Sequence, residues 1–152
     1  MSYKNLEHST DALIEVRAPN LTKAFEVAGK SVVQTIIDDS KIDESVQKKI
    51  TVEGKDLDYL LYNWLEEIII LTITDGFAIK RFKLDVKKEP FVINAELFGE
   101  NIDINKHGFK VEIKSPTFHE MNIYEGKEII FKYLLDLSLI HISEPTRRYA
   151  IS

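Results

Sequence analysis

The sequence predicts a single α+β domain: an antiparallel or mixed β-sheet with two amphipathic helices packed on one face. Three observations predict it. Apolar residues recur at spacings of three and four over two separate stretches, the mark of helices with one buried side. After Gly76 the period changes to two, and strand-like runs follow one another with no helical stretch between them, which favours antiparallel neighbours. The 152 residues, 44% apolar and 30% charged, suffice for one hydrophobic core and are too apolar for a disordered chain.

Taken in order, Ala12–Ala18 (ALIEVRA) reads as a short strand that Pro19-Asn20 ends. A helix follows from about Thr22 to Ile37, with Phe25, Ala28, Val32 and Ile36 on one face and Thr22 or Asn20 as its cap. KIDESVQKK is polar and reads as a loop or a short helical turn, and Ile50–Glu53 as a brief strand stopped by Gly54. Asp56 then caps the clearest element, in which Leu57, Leu60, Leu61, Trp64, Leu65 and Ile68 form an unbroken apolar stripe. Trp64 is expected to anchor the core. Asp75-Gly76 turns the chain into alternating strands: FAIKRFKLDVK, then FVINAELFG beyond Pro90, GFKVEIK, TFHEMNIY and KEIIFKYLL.

Composition excludes several functions. With 20 Lys and Arg against 25 Asp and Glu, the net charge is −5, a poor basis for holding phosphate backbones directly. No direct nucleic-acid binding is therefore expected. The absence of cysteine removes disulfides, zinc–thiolate sites, iron–sulfur clusters and thiol nucleophiles. The N-terminal MSYKNLEHS lacks the apolar core of a secretory signal, and the run Ile68–Leu71 is too short to span a bilayer. A cytoplasmic address without membrane contact is the expectation. Phosphate-cradling glycine loops, a nucleophile elbow and HExxH are all missing. His8, His107 and His119 share no helical i, i+4 spacing, so each reads first as a surface or hydrogen-bonding residue.

The carboxylates carry more chemistry. Asp11 stands at the mouth of the first predicted strand and Asp136 at the far end of the last. If those strands are neighbours, the two acids meet, and a close like-charged pair is costly unless a cation or proton neutralises it. Hard oxygen donors without cysteine favour Ca²⁺ or Mg²⁺ over zinc. A plainer reading stays open, in which Asp11 bonds backbone amides in a polar turn with Ser9 and Thr10.

Several separated motifs, in order, resemble the archease family. YKNLEHSTDALIEVRAPNLTKAFEVAG is similar to its first motif, with a histidine, small hydroxyl residues and an aspartate before the first strand. VEGKDLDYLLYNWLEEIIIL resembles its second helix. FGENIDINKHGFKVEIKSPTFHEMNI resembles its G…H…VK..T.H segment through Gly99, His107, Val111, Thr117 and His119, and IIFKYLLDL its terminal strand and closing aspartate. The resemblance spans residues 2–137.

It implies an accessory protein rather than an enzyme. Archeases assist an RtcB-type RNA ligase in tRNA splicing and RNA repair, promoting guanylylation of the ligase histidine and repeated turnover. It also implies a divalent cation, usually Ca²⁺ with Mg²⁺ or Mn²⁺ as alternatives, held by Asp11, Asp136 and the last residue of the motif, Leu137. His8, His107 and His119 are then expected around the site or facing the partner. Competing readings are a general chaperone-like binding module with no role in the chemistry, and a small metal-dependent hydrolase using His8.

Residues 1–137 are therefore expected to form the domain. Residues 138–152 are expected to be a non-native or disordered tail, because LSLIHISEPTR resembles a translated sequencing-library adapter. With that tail attached, Leu137 offers a backbone carbonyl where a terminal residue would offer a carboxylate.

Overall fold

In the computed structural model of the chain, residues 2–7 and 11–138 are described. Their order is β1 (Ser2–Glu7), β2 (Asp11–Ala18), α1 (Leu21–Ile36), β3 (Val46–Glu53), α2 (Leu57–Ile69), β4 (Phe77–Lys88), β5 (Phe91–Asn101), α3 (Ile104–His107), β6 (Ile113–Glu125) and β7 (Ile129–Leu137). A π-helical turn, Ile70–Thr74, prolongs α2.

The expected α+β class is what folds, with every strand pairing antiparallel. The strands divide into two sheets, ordered β1-β2-β7-β6 and β3-β5-β4, where one sheet was expected. The division arises because β2 pairs with β7, whereas β5 takes β3 and β4 as its two neighbours.

The helices consequently touch both sheets instead of covering one face of a single sheet. Phe25 of α1 packs edge-on against Phe131 of β7, with ring centroids 4.9 Å apart. On the same helix Gly29 lies against the Phe82 ring of β4, where any side chain would collide with it. Trp64 of α2 meets Phe82 at 6.1 Å and donates its indole N–H to the Phe25 carbonyl at 2.9 Å. Trp64 is fully buried, as its place in the apolar stripe predicts. Both helices start at polar caps: the Asn20 side chain accepts from the Lys23 amide, and that of Asp56 from the Tyr59 amide.

Three stretches differ from the sequence reading. Ser2–Glu7, left without an assignment, is an edge strand on β2. β3 begins at Val46, inside the segment expected to be irregular, because Gln47, Lys49, Thr51 and Glu53 face water from an edge strand. Its inward-side lysine, Lys48, breaks the alternation and rests its charge over the Phe77 ring, 4.9 Å from the centroid. GFKVEIK and TFHEMNIY were expected as two strands, yet residues 108–112 are not extended ladder and a single bulged strand, β6, starts at Ile113. The reason lies in the hydrogen bonds. Lys110 N–H serves the Ile36 carbonyl at 2.7 Å and the Asp38 amide serves the His107 carbonyl at 3.0 Å, so this segment closes the end of α1.

Candidate functional site

The pairing of β2 with β7 sets Asp11 directly opposite Asp136. Residues opposite one another in an antiparallel ladder project to the same face, their Cβ atoms about 5 Å apart. Ala12, Ile14 and Val16 point into the core, so Asp11 lies on the outer face of the sheet. Both aspartates are partly buried, and Oδ1 of Asp11 is fully so. Asp136 also sits opposite Ser115, and Leu137 opposite Ile113, on β6. Immediately beyond, the Ser138 amide donates to the Glu112 carbonyl at 2.9 Å.

The donor set suits a hard cation. Two carboxylates held side by side at strand ends offer oxygens and no soft atoms, and a divalent ion relieves their repulsion. Among the described residues, no group of three or more His, Asp or Glu converges to complete a shell. Calcium takes about six to eight oxygens, so backbone carbonyls, water or a partner must supply the remainder.

The histidines are scattered. His8 lies outside the described residues. His107 is buried and takes no part in the aspartate pair: its Nδ1 accepts from the Asp103 amide at 3.0 Å, and its Nε2 lies 2.9 Å from Glu100 Oε2. With Nδ1 accepting, the ring proton sits on Nε2 and is donated to Glu100. His119 is exposed, its amide donating to Thr117 Oγ1 at 3.0 Å and its Nε2 3.7 Å from Glu120.

Two groupings escaped the sequence reading. Glu100 Oε2 collects three donors: Lys106 Nζ at 2.7 Å, the Asp43 amide at 2.8 Å and His107. These bonds, with that of Lys106 foremost, hold its carboxyl down at about 2. The other grouping is aromatic. Tyr59 and Tyr62 lie off the apolar stripe of α2, and Phe118 of β6 packs on both. Aromatic residues outside the stripe were a visible signal; their partner across the sheet was not.

The sequence model of the Archease protein family (MTH1598/TM1083) matches residues 3–137. This chain belongs to the archease family. Protein archease of Pyrobaculum islandicum is 33% identical over 141 residues, covering 90% of this chain and 96% of its own. The Pyrococcus furiosus archease is 32% identical over 123 residues, covering 80% and 87%. The solution structure of Methanobacterium thermoautotrophicum protein 1598 superposes with a TM-score of 0.74 at 25% identity, over 90% of this chain and 99% of that one. An archease of Thermotoga maritima, described as a "possible chaperone", shares the fold with a TM-score of 0.60 at 18% identity, over 88% and 95%. The archease match ends at Leu137, the last residue of β7.

Proposed function

We propose that this archease is an accessory protein of an RtcB-type RNA ligase in tRNA splicing and RNA repair. Working in the cytoplasm, it promotes ligase guanylylation and repeated turnover, and it makes no covalent step of its own. Asp11 and Asp136, with the backbone of Leu137, would hold a divalent cation, Ca²⁺ or else Mg²⁺ or Mn²⁺. The observation that carries this reading is the register of β2 on β7, which makes the two aspartates direct neighbours. A bound cation would supply positive charge at this edge and fix the two strand ends against each other. The aspartates orient it, and the partly buried setting limits its screening by water.

The net charge of −5 favours a partner whose surface is basic, as a protein that handles RNA and nucleotide phosphates must be. A chaperone-like module without a role in the chemistry is the second reading, favoured by the description of the Thermotoga relative. Single-turnover guanylylation of the ligase separates the two. Asp11→Ala and Asp136→Ala are expected to abolish stimulation, and both are expected to weaken Ca²⁺ binding in calorimetric titration by at least about tenfold. Undiminished stimulation by both variants would rule out the metal-dependent reading and leave the chaperone-like one.

A further inference from the structure

β6 leaves its ladder between Thr117 and Asn122, where the register with β7 shifts. Within that bulge Glu120 takes a positive φ of 63°, a backbone state that non-glycine side chains seldom adopt. The excursion carries Phe118 to α2, where it stacks flat on Tyr62 at 4.3 Å and leans on Tyr59 at 4.8 Å. The trio is not core. Phe118 remains 42% exposed although Tyr62 covers one of its faces, and Tyr59 is 38% exposed. Beside it opens a cleft of about 540 Å³ lined by Lys55, Tyr59, Asn63 and Phe91 among others. Rigid, exposed aromatic rings next to a concavity have the anatomy of a protein-binding hot spot.

Charge identifies the occupant. Lys55 already sets its ammonium 4.3 Å from the Tyr59 centroid, so these ring faces attract a cation within the fold itself. Exposed carboxylates border the trio: Asp58 one residue before Tyr59, Glu66 one helical turn beyond Tyr62, and Glu120 within the bulge. Such a border repels nucleic-acid phosphates and attracts a cationic side chain. A guanidinium satisfies both parts at once, stacking on a ring while its fork bonds a carboxylate; an ammonium cannot. The described part of a second copy is poorly equipped to supply it; Arg147 and Arg148 lie outside the described residues. Among the described residues the arginines are Arg17, bonded to Glu15 and Glu128, and Arg81, bonded to Glu44 and laid over Phe98.

We propose that the Tyr59–Tyr62–Phe118 platform is a docking surface for an arginine-bearing segment of a partner protein. The surface itself is argued from these rings and carboxylates; that the partner is the RNA ligase rests on the function proposed above.

Two measurements test it. In the first, the aromatic resonances of the folded chain are followed by NMR during titration with a short arginine-containing peptide, its lysine counterpart and oligouridylate. Saturable shifts at Tyr59 and Phe118 are expected with the arginine peptide, at least about fivefold weaker with lysine, and absent with RNA. Phe118→Tyr keeps the ring and should keep the response, whereas Asp58→Asn combined with Glu120→Gln should weaken it about fivefold. In the second, affinity for the ligase is measured directly. Tyr59→Ala with Phe118→Ala should lower it at least about tenfold, while Asp11→Ala loses stimulation and keeps binding. Unchanged ligase affinity in the ring variant overturns the docking surface, whatever Asp11→Ala does. If the parent chain fails to bind the ligase, the partner assignment falls and the peptide titration alone decides the surface. A preference for oligouridylate, or a concentration-dependent dimer that the ring variant abolishes, also overturns it.

Discussion

At the scale of single residues, one atom pair ties the two long helices together. The Trp64 N–H reaches the Phe25 carbonyl inside the core, with Trp64 fully buried. Trp64→Phe keeps most of the apolar volume and removes that hydrogen bond, while the carbonyl keeps its place in the α1 ladder, so the expected loss is about 0.5–1.5 kcal/mol in urea unfolding. Glu100 makes a different kind of prediction. Its carboxyl titrates at about 2 in the fold against 4.5 ordinarily, so the unfolded chain binds its proton more readily. The stability it contributes is complete above the ordinary carboxylate value and is lost as pH falls from there towards 2. Glu100→Gln should therefore flatten the acid limb of a pH–stability curve in that window. A curve with unchanged slope there would mean that the three donors around Oε2 do not favour the charged form. Nothing in the sequence announced this carboxylate, because its partners come from α3 and from the loop before β3, which only the fold brings together around it.

Elements were legible in proportion to how cleanly one face is buried. α1 and α2 came through with their caps because a helix between two sheets needs an apolar stripe that its sequence must display. The edge strand β1 did not, and β3 did only over Ile50–Glu53, since the polar residues on its water-facing side dilute the alternation. The bulged β6 was misread as two strands for a related reason: hydropathy does not reveal that the segment before it closes the end of α1 through the Lys110 amide and the His107 carbonyl. Strand β5 carries the sharpest test at this scale. Gly99 lies so close to β4 that a Cβ would run into the Ala78 carbonyl oxygen, beside the bulge at Ile79/Arg81. Backbone cannot yield as a side chain does. Gly99→Ala is thus expected to destabilise by about 3 kcal/mol or more in thermal or urea unfolding, whereas a loss under about 1 kcal/mol would show that β4 shifts freely.

For the whole molecule, the decisive fact is that strands from opposite ends of the described chain share a ladder. The acids themselves were legible as strand-end carboxylates; their adjacency was not, because register is a property of the folded sheet and no local pattern encodes it. Leu137 supplies the prediction at this scale. It is followed here by Ser138, so in the proposed site it would offer a carbonyl and not a carboxylate. Removing residues 138–152 would replace that neutral oxygen with a carboxylate, and Ca²⁺ affinity is expected to rise at least about tenfold. Equal affinity of the two lengths would exclude Leu137 from the donor set. The same ladder has a consequence for synthesis. A nascent chain can form both helices and the β3-β5-β4 sheet while still tethered to the ribosome, but Asp11 must wait for its partner until the final strand emerges. An incompletely translated copy would carry the aromatic platform's helix yet never the acid pair, so cation binding would report that translation had reached the end of β7.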